Sequence, residues 1–498
     1  MDPMKVVTGR VIKTRIFDNT IARFYMNAIH GLSRGVGVIG VLTGLLGCNP
    51  GGSGNGTCDP NEPACADDLV CENVLDGDPR CVTPVTIQGV VLDIADDSPI
   101  ADARVQAVDA NGAAVGTSGT TAEDGSFVLT VPAVRDEDDV PVEGTYTLRA
   151  QAAGYQEFPT AIRPALPIDT ASATLADAGW VIESPLTTIK LIALPGDTSD
   201  LGSIAGSVLA ERNTGMLMVA EGSSETLIGF SDSDGDYIIF NVPAGSYTVQ
   251  GYASGVQLDA VNTSIVAGEN QTGVNLAESG DPLSTVSGSV QIVNAPGGSQ
   301  TSVVLAVDST FVEAAGRGKV PPGLRAAPVE GAFSIADVPN GRYVVLAAFE
   351  NDELVRDPDQ TIGGTQIVRI DVPDPTDGVT VELPEGFKVT GALAVVSPGA
   401  DEPEEIDTPT PDFVWEDDSS EDGYEVRVFD AFGLEVWTDE IESVSGSATV
   451  THTYAGPDLE PGMFYQFRAT SFRERSGERT AISTTEDLRG VFFYPGDN

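Results

Sequence analysis

The chain has 498 residues, 75 of them Asp or Glu against 26 Lys or Arg, for a net charge of −49. That length exceeds one ordinary domain, and that charge repels nucleic acid and anionic lipid headgroups. With 55 glycines, 32 prolines and only 6% aromatic residues, the short Val, Ile, Thr and Ala runs are broken too often for a large α/β enzyme. They predict several small all-β domains.

In chain order, residues 1–35 carry Lys5, Arg10, Lys13, Arg15, Arg23 and Arg34, and the apolar run VGVIGVLTGLL follows. A basic stretch followed by an apolar segment and a small residue is the pattern of a secretory signal. The run is too short to span a bilayer comfortably as a mature helix. Leu45-Leu46-Gly47-Cys48 resembles the bacterial lipobox. The resemblance implies a signal peptide over 1–47, cleavage before Cys48, and acylation of its thiol. Two or more acyl chains give stable membrane attachment. Asn49 stands where the resemblance expects Asp for inner-membrane retention, so the expected destination is the outer membrane, on the cell surface. Met26 also opens a compact signal, so the start is Met1 or Met26. Cleavage leaves 20 basic and 73 acidic residues, about −53. Residues 48–57, rich in Gly and Ser, read as a flexible tether.

Residues 58–83 hold Cys58, Cys65, Cys71 and Cys81. Four cysteines in an exported segment too small for its own core predict two disulfides, in any of three pairings. Their spacings are wider than the paired spacing of zinc ligands.

Three stretches then share one plan. Each opens with a glycine in a strand (Gly89, Gly206, Gly288) and continues with a glycine turn and an aromatic. These are Gly125 with Phe127, Gly235 with Tyr237, and Gly331 with Phe333. Next comes Val-Pro (131–132, 242–243, 338–339), then a tyrosine opening another strand: Tyr146, Tyr247, Tyr343. The glycine turn signals a hairpin, proline ends the strand because it cannot donate to a ladder, and alternation follows the tyrosine. The product is a small β-sandwich. The motifs P-I-x-D-A-x-V, T-x-x-D-G-x-F, Y-T-L and A-x-G-Y in residues 84–197 closely resemble the carboxypeptidase regulatory-like (transthyretin-like) domain. Looser copies occupy 201–278 and 284–384, the third with the insertion FVEAAGRGKVPPGLRAAP, read as a loop. The resemblance implies a non-catalytic accessory. Residues 388–498, with Trp415, Trp437, the alternating strand from Tyr424 and Pro461-Gly462 before Tyr465, resemble a fibronectin type III domain. Their aromatics read as core.

Little chemistry is visible. After cleavage His452 is the sole histidine, and neither a nucleophile elbow, a Walker loop nor a dinucleotide fingerprint occurs. Paired carboxylates are too common to single out an acidic hydrolase. In SDSDGDY, Asp232, Asp234 and Asp236 alternate as calcium ligands do, but Gly235 is misplaced for an EF-hand loop and a plain turn explains the stretch. They stand as candidate calcium ligands, and no other cofactor is expected.

The expected fold is all-β: tandem small antiparallel sandwiches, transthyretin-like and Ig-like, behind a signal peptide and a disulfide-rich neck, strung as semi-rigid beads. The expected function is a non-catalytic outer-membrane lipoprotein, a structural or adhesive string whose partner is a protein or glycan. The alternative is a carbohydrate-binding accessory of a polysaccharide-uptake system. The expected partners are the membrane, through the N-terminal lipid, and no nucleic acid.

Overall fold

A computed structural model describes residues 58, 65, 69–109, 112–160, 162–163, 165–176, 179–295, 300–313, 316–348, 353–443 and 447–496. The signal peptide, Leu45, Leu46, Gly47, Cys48 and the tether lie outside the described residues. Among the described residues no helix is long and apolar enough to cross a membrane.

The chain is all-β. Its neck is a two-stranded ribbon, Val70–Glu72 against Arg80–Val82, with Cys71 opposite Cys81. Cys58 pairs with Cys71 and Cys65 with Cys81. The neck is fastened to the first sandwich by a buried ion pair, Arg135 with Glu72, in which Arg135 is fully buried and Glu72 is 4% exposed.

In the first sandwich Val85–Asp93 is the hub of a five-stranded sheet. It pairs antiparallel with Ser126–Val131 and parallel with Gly179–Ile182 and Thr188–Leu191. A four-stranded sheet built on Arg104–Val108 and Thr145–Gln151 supplies the other layer. Alternation places Phe127, Leu129 and Val131 inward against Val105, Ala107 and Leu148. The second module is one continuous nine-stranded sheet, because Thr226–Ser231 stays bonded to Asp236–Val242 and stitches the two layers along one edge. The third repeats the two-layer plan with five and four strands, and the fourth has three and six.

The repeat signature has a direct structural meaning. Each strand glycine lies opposite its aromatic: Gly89 faces Phe127, Gly206 faces Tyr237 and Gly288 faces Phe333. The missing side chain leaves room where the chain packs closely. A Cβ at Gly206 would clash with the Val274 carbonyl, and one at Gly288 would lie 2.8 Å from the Phe333 ring. The later tyrosine folds back and its hydroxyl donates to the preceding proline carbonyl. The pairs are Tyr146 with Pro132 at 2.9 Å, Tyr247 with Pro243 at 3.0 Å, and Tyr343 with Pro339 at 2.9 Å. Val-Pro and tyrosine are therefore two halves of one corner clamp.

Two expectations are corrected. The sequence reading ends the third module at 384 and opens the fourth at 388, yet the strand Phe387–Gly391 pairs parallel with Ser284–Val293 and completes the third. The modules are also not beads on a string, since they form one compact unit. The reason is two-sided burial. Leu217, Val219, Phe230 and Tyr252 of the second module turn away from its own core and join the buried cluster of the third. Tyr252 meets Tyr343 edge-on at 6.0 Å. Burying such side chains contributes on the order of 1.5–3 kcal/mol each, more than an exposed ion pair at roughly 0–1 kcal/mol. Apolar packing therefore holds this interface.

Candidate binding site at the module junction

The first module makes contact with all three others. Toward the second, Arg104 pairs with Asp232 and donates to the Asp236 carbonyl at 2.7 Å. Ser118 donates to the same Asp232 carboxylate at 3.2 Å. Asn241 of the second module accepts from the Gly154 amide at 2.6 Å and donates to the Tyr155 carbonyl at 2.9 Å. Toward the fourth, Gln156 donates to the Ala431 carbonyl at 2.7 Å. Ile162 and Ile192 share a buried cluster there with Ala431 and Val491. Toward the third, Glu157 pairs with Lys319, which lies on the insertion that the sequence reading treats as a loop. The third and fourth are joined in turn by Glu486, which accepts from the Glu353 amide at 2.7 Å, and by Ser483, which donates to the Gly391 carbonyl at 2.6 Å.

These contacts surround a cavity of about 620 Å³ lined by all four modules. Arg149 reaches it because Leu148 and Ala150, its neighbours in Thr145–Gln151, face the core and alternation turns Arg149 outward. Its guanidinium lies 3.3 Å above the centroid of the Phe230 ring. Nη2 donates to the Gly112 carbonyl at 3.4 Å, while Nη1 is sealed from solvent and has no hydrogen-bond partner among the described residues. Burial pulls the guanidinium down to about 10, against the opposing pull of the Glu157 charge. Gln156 Oε1 and Thr160 Oγ1 are also sealed and have no partners among the described residues. Phe432, Val320 and Pro159 add apolar wall.

The residues singled out in the sequence fall elsewhere. Asp232 Oδ1 accepts from the Asp234 and Asp236 amides, both at 2.9 Å, in a tight turn, and Oδ2 meets Arg104 and Ser118. Asp236 accepts from the Ser207 hydroxyl at 2.5 Å. Among the described residues the Asp232, Asp234 and Asp236 oxygens do not converge as a cation-sized cluster. The SDSDGDY turn instead serves the junction of the first two modules. His452 lies 3.0 Å from Asp439 and stacks on Trp437 at 5.6 Å. Trp415 is fully buried in the fourth core and Trp437 packs at its margin. Arg149, Phe230 and Lys319 escaped the sequence reading, because their partners lie on other modules. One signal was available. The unbroken apolar runs LMVA and VVLAV, in strands Leu217–Glu221 and Thr301–Val307, are long for one-sided burial.

No protein-family model matches the chain, and no curated protein sequence matches it. Among solved structures, similarity is found to the Bacillus anthracis TIE protein at 11% identity, with a TM-score of 0.14 over 79% of this chain and 68% of that one. A shaft pilin from Lactobacillus rhamnosus GG is 12% identical, with a TM-score of 0.17 over 40% of this chain and 98% of its own. The major pilin subunit of Bacillus cereus is 10% identical, with a TM-score of 0.16 over 61% of this chain and 100% of its own.

Proposed function

We propose that this chain is a non-catalytic lipoprotein of the outer membrane, anchored through Cys48 and acting at the cell surface as a structural or adhesive binding body. The observation that carries the reading is the mutual packing of four β-modules into one unit behind a cross-linked neck. Each module contributes hydrogen-bonding and apolar groups to holding the others. Such a body holds its loops and strand edges in fixed relative positions, which suits presenting one continuous face to a large partner. The Gly/Ser tether supplies reach, and the acidic surface opposes collapse onto anionic headgroups.

Protease shaving of intact cells, comparing wild type with Cys48→Ala, tests the reading. Digestion of membrane-bound wild type together with release of the variant is the expected result. Protection of the wild type would place the chain in the periplasm. A variant that stays membrane-bound would refute the lipid anchor.

A further inference from the structure

We propose that an apolar groove where the first and fourth modules meet, rimmed by Asp458 and Glu460, takes a segment of a partner protein in which apolar side chains are flanked by Lys or Arg. The proposal deepens the surface-binding reading and rests on it for the presence of a partner, not for the anchor.

The groove has a volume of about 680 Å³. Its base is built from Tyr454, Leu459 and Tyr465, all buried. The chain over 457–460 turns Leu459 into that base and leaves Asp458 and Glu460 exposed on either side of it. Two phenols fix the segment. Tyr454 donates to the Pro457 carbonyl at 2.7 Å, and Tyr465 accepts from the Glu460 amide at 2.7 Å. The backbone that carries the acidic rim is therefore set before any partner arrives, which spares part of the ordering cost of binding.

A turn supplies the apolar part of the lining. Asp430 Oδ1 accepts from the Phe432 and Leu434 amides, both at 2.9 Å, and Gly433 takes a φ of 81°. Turns favour Gly, Pro, Asn, Asp and Ser. This one presents Phe432 half-buried and Leu434 64% exposed, and Pro195 of the first module adds another exposed apolar group. Contiguous exposed apolar surface rimmed by polar groups is a mark of protein contact.

Charge selects the partner. No Lys or Arg lines the groove, whereas Asp430, Asp458 and Glu460 do. Among the described residues the Asp458 and Glu460 carboxylates take part in no ion pair. Burial is the main cause of the raised Tyr454 and Tyr465 phenols, and the charges of Asp458, Glu460 and Asp430 add to it. The rim therefore acts electrostatically on the base. With an apolar base and carboxylates at the margin, the fitting segment is apolar in the middle and cationic at its ends. Apolar burial supplies affinity, and the rim charges steer approach and fix register. A second copy of this acidic chain is repelled.

The net charge of −49 attracts every polycation, so the test separates the groove from that background. Purified full chain is titrated calorimetrically with three peptides. One has a Leu-Phe-Leu core flanked by lysines, one keeps the lysines around a core of serines, and one keeps the apolar core between glutamates. Saturable one-to-one binding of the first is expected, with each of the others weaker by about tenfold or more. Asp458→Asn/Glu460→Gln should weaken the first peptide by about fivefold or more. Asp377→Asn/Glu382→Gln, which removes the same charge from the third module, should leave it within about twofold. Leu434→Ser should weaken the apolar core severalfold and leave the serine core unchanged. All five substituted side chains are exposed, so the unfolding midpoint should stay in place. Equal weakening by the two double variants overturns the proposal. So does equal binding of the apolar and serine cores, or absence of saturable binding at about millimolar peptide. Naphthylmethylammonium binding as tightly as the peptide would also overturn it, making the groove a small-molecule site. Because the peptides are measured on purified protein, their failure leaves the protease-shaving result, and the anchored surface reading, untouched.

Discussion

Tyr146, Tyr247 and Tyr343 occupy the same corner in three modules and make the same bond to a proline carbonyl, within 0.1 Å in length. What differs is the surrounding solvent. Tyr343 is fully buried and so is its bond, Tyr247 is 4% exposed with Glu225 at 3.2 Å as a second neighbour, and the bond of Tyr146 is exposed. Substitution by phenylalanine removes one oxygen and little else. At position 146 water replaces the lost donor, so Tyr146→Phe should cost no more than about 0.5 kcal/mol. At position 343 the Pro339 carbonyl is left without a donor in a dry corner, so Tyr343→Phe should cost about 2 kcal/mol, and Tyr247→Phe about 1 kcal/mol. Urea unfolding at constant m reads this directly as a shift in midpoint. Three equal costs, or the largest cost at Tyr146, would refute the claim that burial of the bond sets its worth.

Further outcomes follow from the same structure. Burial pushes the Tyr247 and Tyr454 phenols up to about 12, and Tyr343 well above the ordinary value. A phenol raised in the folded state contributes stability that is present below the unfolded value near 10 and is lost as pH rises toward the folded one. Tyrosinate absorbance and circular dichroism should therefore change together above pH ~10; titration of all tyrosines near 10 with the fold intact would contradict this. Glu72→Gln strips the counter-charge from buried Arg135 and should destabilise the neck junction by about 3–5 kcal/mol, with much of the loss recovered in the Glu72→Leu/Arg135→Met double variant. Limited proteolysis at the neck would show both. Gly206→Ala meets the Val274 carbonyl and should cost about 1–3 kcal/mol or more, while Gly331→Ala, with nothing within 4 Å, should be near neutral; their urea midpoints make the comparison.

Much of each module was legible because its signals are local. The glycine opposite an aromatic, the D-G turn and the Val-Pro with its tyrosine all act within one sheet or one corner, so spacing alone exposes them. The junction was not legible, because its contacts are non-local. Asp232 meets Arg104 across 128 residues and Lys319 meets Glu157 across 162, and no short window contains both partners. SDSDGDY illustrates the limit. Its local reading, a turn, describes Asp232 Oδ1 well. The other carboxylate oxygen belongs to an interface that only the folded chain defines. The alternation from Tyr424 and the aromatics Trp415 and Tyr465 likewise marked core positions of the fourth module, but not that Phe387–Gly391 is drawn into the third by parallel pairing with Ser284–Val293.

The cluster in which Ile162 and Ile192 meet Ala431 and Val491 has a consequence for biogenesis. During synthesis the first module emerges some 240 residues before its apolar counterpart in the fourth. A chain that emerges from its N-terminus cannot finish its modules one at a time. Until the final strands arrive, the first module carries an uncovered sticky surface, a natural point for a chaperone to hold it and for truncated chains to be recognised and destroyed.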